Sequence, residues 1–166
     1  MGITRLLLVA ILVVPFAFGQ ASWTLRLDGI GPAKIGMTLA QLNAALHEHF
    51  LMPPDKDDQG CFYVNPKSHP QIAFMIEDGH LVRVDVDKRG ISTDKGLSLG
   101  DSEAHAKRVY GTVLRIDPSK YTGDEGGHYL TLISGKYGLR LETEHGKITE
   151  FYAGTATAIK YVEGCE

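Results

Sequence analysis

Between residues 72 and 86 the chain alternates. Ile72, Phe74 and Ile76 fall on one phase and Ala73, Met75 and Glu77 on the other. After Asp78-Gly79, Val82, Val84 and Val86 alternate with Leu81, Arg83 and Asp85. Successive side chains of a strand face opposite sides, and Asp-Gly suits a two-residue turn, so this stretch predicts a β-hairpin. A second hairpin is predicted where Leu139 and Leu141 alternate with Arg140 and Glu142, His145-Gly146 turns, and 148–152 returns. Residues 129–133 and 158–162 read as further strands. The period changes elsewhere. Leu39, Leu42, Leu46 and Phe50 recur at helical spacing behind Thr38-x-x-Gln41, a capping box, and Pro53-Pro54 ends any helix there. Ser102 opens a second helix, with Ala106, Val109 and Tyr110 on its apolar side and Gly111 at its end.

The two helix-plus-hairpin stretches resemble one another. Residues 34–42 align with 98–106, matching Gly36 to Gly100 and Thr38 to Ser102, an offset of 64. Residues 74–82 align with 141–149, matching Gly79 to Gly146, an offset of 67. The expected architecture is therefore α+β, with two tandem repeats, about 30–88 and 90–153. They would form one antiparallel sheet with the helices packed on one face. Val82, Val84, Leu139, Leu141 and Phe151 are expected to face the helices. Met75, Arg83, Asp85, Arg140, Glu142, Glu150 and Tyr152 are expected on the open face. That face is either solvated or a docking surface, since Tyr, Arg and Met are enriched at interfaces.

Ile35-Gly36-Met37-Thr38, opening a short helix before a meander and recurring as Leu99-Gly100-Asp101-Ser102, resembles the β-lactamase inhibitor proteins, which are built from two helix-plus-sheet repeats. It is similar as well to the small lipoprotein of the outer-membrane β-barrel assembly machinery, which has one such unit. The resemblance spans residues 30–153. It implies a non-enzymatic protein that binds other proteins, here an extracytoplasmic one, through the sheet face. The chain lacks a lipobox cysteine, and no inhibitory contact residue maps onto it. The ending Tyr161-Val162-Glu163-Gly164-Cys165 resembles uncharacterised exported bacterial proteins.

The first residues change the picture of location. Arg5 is followed by Leu6–Val14, Pro15 and small residues at Gly19 and Ala21, a secretory signal pattern. The apolar run of about a dozen residues is short for a bilayer span of about 20. Cleavage is expected after Ala21, or after Gly19. Residues 22–166 would then form a single periplasmic or secreted domain with no membrane span. Of 166 residues, 17 are Lys or Arg and 20 Asp or Glu; without Arg5 the balance is 16 − 20, or −4. No basic run is present, which excludes a nucleic-acid backbone as partner. Cys61 and Cys165 are the two cysteines. In an exported chain they are expected to form a disulfide, the alternatives being two thiols or an intermolecular bridge.

Candidate chemistry is sparse. Gly100-Asp101-Ser102 resembles the nucleophile motif of serine esterases, with His128 as the base for a hydrolase alternative. Glu103 follows Ser102 where that motif has Leu, and an N-cap accounts for Ser102 without chemistry. Asp55-Lys56-Asp57-Asp58-Gln59-Gly60 has the acidic spacing that starts a calcium loop, but Pro66 stands where its closing Glu belongs. His47 and His49 fall on opposite sides of a helix, and no spacing makes a metal motif. Ser134-Gly135-Lys136-Tyr137 is similar to a loop of bacterial lysozyme inhibitors and is also a plain turn between strands. Residues 121–127, rich in Gly and acids, read as a loop able to cover a partner or ligand. A small-ligand or carbohydrate-binding module is the remaining alternative. No cofactor is implied.

Overall fold

The computed structural model describes residues 23–121 and 123–165, with 123–125 described by backbone only. The signal segment 1–21 and its cleavage sites lie outside the described residues. The fold is α+β, mostly sheet with two helices, but the strands divide into two sheets rather than one. The smaller sheet joins β1 (Thr24–Arg26), β2 (Gly29–Ile30), β3 (Ala33–Lys34) and β7 (Ser92–Thr93) in the order β3-β2-β1-β7.

The larger sheet contains β4 (Cys61–Val64), β5 (Ile72–Glu77), β6 (His80–Val86), β8 (Arg115–Ser119), β9 (Gly123–Ser134), β10 (Tyr137–Glu144) and β11 (Lys147–Thr155). Its order is β4-β5-β6-β11-β10-β9-β8, and every neighbour is antiparallel. Residues 123–127, expected in a loop, belong to β9.

Both helices start where the caps place them. In α1 (Leu39–Leu46) the Gln41 N–H donates to Thr38 Oγ1 at 3.2 Å, and the Thr38 N–H donates to Gln41 Oε1 at 2.9 Å. The helix stops well before the prolines, with His47 in the left-handed region at φ 54°. Asn43 then holds the outgoing chain, accepting the Phe50 N–H at 2.6 Å and donating to the Phe50 carbonyl at 3.0 Å. Phe50 therefore packs edge-on to Phe74 from outside the helix. α2 (Glu103–Tyr110) is capped by Ser102 Oγ, which accepts the His105 N–H at 3.1 Å, and it ends at Gly111.

Each helix is tied to its hairpin by backbone bonds. Gly36 N–H donates to the Leu81 carbonyl, Leu81 N–H to Met37 and Leu39 N–H to Gly79. Gly100 N–H donates to Ile148, Ile148 N–H to Asp101 and Glu103 N–H to Gly146. The turn residues Asp78 and Gly79 have φ of 49° and 76°, and His145 and Gly146 have 47° and 72°. These left-handed pairs match the twist of two-residue hairpins.

A β-bulge follows each turn, at Val82 opposite Met75/Ile76 and at Thr149 opposite Glu142/Thr143. The first bulge corrects the expected facing. Leu81, not Val82, turns to the core with Val84 and Val86, because the extra residue shifts the phase of the strand. The core lies on the inner face, where Phe74, Val84, Leu139, Leu141 and Phe151 meet Leu42 of α1, Ala106 of α2, and Leu25, Ile30 and Ala33 of the smaller sheet.

The expected strand over 158–162 is not one. After Thr155 the chain turns back across the outer face, with a 3-10 turn at Ala158–Lys160. Gly138 and Gly154 stand opposite each other in β10 and β11, and the missing side chain of Gly138 leaves a hollow in that face. Ile159, fully buried, fills it; a Cβ on Gly138 would overlap Ile159 Cδ1. Gly138→Ala is expected to cost about 1–3 kcal/mol, although Ala normally improves on Gly in a strand. Urea unfolding checks this, and Ile159→Ala in the same chain should recover part of the loss.

Candidate functional site

All seven residues expected on the outer face do lie on it, but the face is not open. Met75 is 0% exposed, Tyr152 2%, Arg83 4%, Asp85 7% and Arg140 8%. The segment 156–165 crosses over Arg83 through the Ala158 and Tyr161 carbonyls and is anchored at its end by the Cys61–Cys165 disulfide. That corrects the expectation of a solvated or freely docking surface over β5, β6 and β11. The disulfide spans 104 positions, and in the chain-entropy model such a loop is worth about 4–5 kcal/mol. Among the described residues no helix is long and apolar enough to cross a membrane.

Arg83 organises the covered region. Its Nε donates to Asp85 Oδ1 at 2.7 Å, and Nη2 donates to Asp85 Oδ2 at 2.8 Å and to Tyr63 Oη at 2.7 Å. Nη1 donates to the carbonyls of Ala158 at 3.1 Å and Tyr161 at 2.8 Å. The guanidinium lies 4.4 Å over the Tyr152 ring, and the Tyr63 hydroxyl completes the cluster by donating to Asp85 Oδ2 at 3.1 Å. Burial alone would lower the Arg83 pKa, and the Asp85 carboxylate more than reverses that. Burial pushes the Tyr63 and Tyr152 hydroxyls up, so both remain protonated donors. The sequence reading missed Tyr63 and the 158–161 carbonyls, which reach Arg83 only through strand pairing and chain reversal.

A row of acids runs beside this cluster. Glu142 and Glu150 are directly opposite on β10 and β11. Glu142 Oε1 accepts the Tyr152 hydroxyl at 2.6 Å. Burial, then the charges of Glu142 and Asp85, hold the Glu150 carboxyl up at about 7.

At the far edge, Arg115 on β8, Thr131 on β9 and Arg140 on β10 stand in one cross-strand row. They floor a groove of about 450 Å³ beside Lys160. A second groove of about 550 Å³ surrounds the chain end at Tyr161–Cys165.

The hydrolase residues have other partners. Ser102 Oγ caps α2, and His128 Nδ1 is 2.8 Å from Glu103 Oε2. Glu103 also meets Thr143 Oγ1 and Lys107 Nζ, and against the effect of burial Lys107 and His128 draw its carboxyl below the usual range. Asp57–Gln59 forms a 3-10 turn. Among the described residues no three His, Cys, Asp or Glu side chains gather as metal ligands.

No family model and no curated protein matches the chain. Two solved structures overlap it. One is an extracellular protein containing an SCP domain from Bacillus anthracis str. Ames, 11% identical, with a TM-score of 0.46. The match covers 74% of this chain and 44% of that one, so this chain spans less than half the length of that protein. The other is a DUF4309 family protein from Bacillus subtilis subsp. subtilis str. 168, 15% identical, with a TM-score of 0.49, covering 80% and 88%. Neither is described as a β-lactamase inhibitor or an assembly lipoprotein.

Two predictions follow from the covered face. Arg83→Met leaves Asp85 buried without its partner and is expected to cost about 3–5 kcal/mol in denaturant unfolding. Adding Asp85→Asn should recover part of that loss. Glu150 binds its proton more tightly folded than unfolded, so its contribution to stability falls as pH rises from 4.5 to about 7. Glu150→Gln should therefore leave stability near pH 4 unchanged and raise it by about 1 kcal/mol at pH 8, read from melting curves at both pH values.

Proposed function

We propose that this is an exported, non-enzymatic binding protein built from two copies of one helix-plus-hairpin unit, acting on an extracytoplasmic protein partner. The observation that carries the reading is the matched pair of joints. Gly36, Met37, Leu39, Gly79 and Leu81 make the same backbone bonds as Gly100, Asp101, Glu103, Gly146 and Ile148, and the same bulge follows each turn. A duplicated unit of this kind is the layout of the β-lactamase inhibitor proteins. The step from that layout to binding is analogy of architecture. Export is supported by the signal pattern at 1–21 and by a disulfide, a bond that persists in oxidising compartments.

The recognition surface is the part of the outer face that segment 156–165 leaves uncovered, over β8–β10. Val113 and Ile133 are 59% and 45% exposed there, next to Arg140, with Glu142 and Glu150 at the inner margin. Met75, Arg83, Asp85 and Tyr152 serve as its scaffold. Exposed apolar side chains rimmed by charge are what protein partners bury. The Val113→Asp/Ile133→Asp double variant is expected to keep its circular dichroism and to lose at least tenfold in capture of the partner that the wild-type chain retains from the host's extracytoplasmic fraction. Equal capture by both forms would remove this surface.

A further inference from the structure

Arg140 differs from Arg83 in one respect. Both side chains are largely buried on the outer face, Arg140 at 8% exposure, yet among the described residues Arg140 makes only one hydrogen bond. Its Nε donates to Thr131 Oγ1 at 3.1 Å, and its plane lies 4.9 Å over the Tyr129 ring. The described residues supply no acceptor to Nη1 or Nη2. Neither Nη atom is buried without a partner, so both reach the solvent of the groove, where water or a ligand meets them.

The groove gives them a place to point. Arg140 lines it together with Lys160 and Arg115. Arg115 is held by Asp117, with Nη2 2.9 Å from Oδ1. Three cations therefore face one carboxylate along the groove. Glu142, two residues from Arg140, is turned to the Tyr152 hydroxyl. Val113 and Ile133 supply an apolar wall.

We infer that this groove is a binding site for a small amphiphilic oxyanion. A carboxylate or phosphate head sits against Arg140 and Lys160, and a short apolar tail lies along Val113 and Ile133. The planar fork of Arg140 matches two oxygens of such a head. Thr131 acts as a positioning residue, since its hydroxyl fixes the fork through Nε. Lys160 adds charge from the covering segment. The groove lies within the surface assigned above to a protein partner, and anion binding there requires no such partner.

Calorimetric titration of the disulfide-bonded protein at low ionic strength tests this, using hexanoate, acetate, hexyl phosphate and inorganic phosphate as probes. Saturable one-to-one binding of hexanoate or hexyl phosphate is expected, at least about fivefold tighter than the tail-less counterpart, given about 0.8 kcal/mol per buried methylene. The preferred head separates carboxylate from phosphate ligands. Lys160→Ala, an exposed position, should weaken binding about tenfold, and Arg140→Lys should abolish it by removing the fork. The proposal is overturned if neither tailed anion saturates, if the tail adds nothing, or if Lys160→Ala binds as wild type does. The Lys160 variant decides the matter even if Arg140→Lys does not fold.

Discussion

A buried guanidinium has five N–H groups to satisfy, and Arg83 satisfies all of them within the chain. Two bonds go to Asp85 on its own strand, one to Tyr63 on the edge strand β4, and two to carbonyls of the segment that crosses the outer face. No apolar residue at 83 would hold these parts together. The side chain neutralises the one carboxylate buried beside it and binds the backbone of a segment that contributes no strand to the sheet. The disulfide works on the same segment from its far end, by limiting how far it strays when unfolded. Between these two anchors Ile159 drops into the hollow at Gly138. Charge, covalent closure and shape therefore all act on residues 156–165.

Local chemistry made much of the fold legible. Asp78-Gly79 and His145-Gly146 specify tight turns whatever surrounds them, and Thr38 with Gln41 caps a helix through contacts three residues apart. The smaller sheet escaped because β2, β3 and β7 have two residues each, too few for alternation to register. The bulges escaped for a related reason. One inserted residue reverses the phase of a strand, and nothing in Leu81-Val82 reveals which of two apolar neighbours turns inward.

The outer face shows where sequence reasoning stops. The alternation correctly placed Met75, Arg83, Asp85, Arg140, Glu142, Glu150 and Tyr152 on one side. It gave no sign that the side was covered, because the cover comes from a segment that itself reads as a strand. Ala158-Ile159 and Tyr161-Val162 are apolar enough for a sheet, yet they form no strand, and Ala158 and Ile159 bury against the sheet instead. Two signals were present. Arg83 and Asp85, two apart on one strand face, form an ion pair that burial makes necessary. Gly138, within an otherwise strong strand, marks the close approach of Ile159.

Covering part of the face confines what remains for recognition. Over β5, β6 and β11 the polar side chains answer one another and the backbone above them, so they have little left to offer a partner. Along β8–β10 the balance reverses. Among the described residues nothing pairs with the two Nη groups of Arg140, Lys160 stands at the border of the cover, and Val113 and Ile133 stay exposed. Apolar groups left in water lower their free energy when a complementary molecule covers them, and the free N–H groups of a cation can exchange water for its oxygens. The two arginines thus divide the face: one spends every donor on holding the chain together, and the other holds its donors toward a groove that opens to solvent.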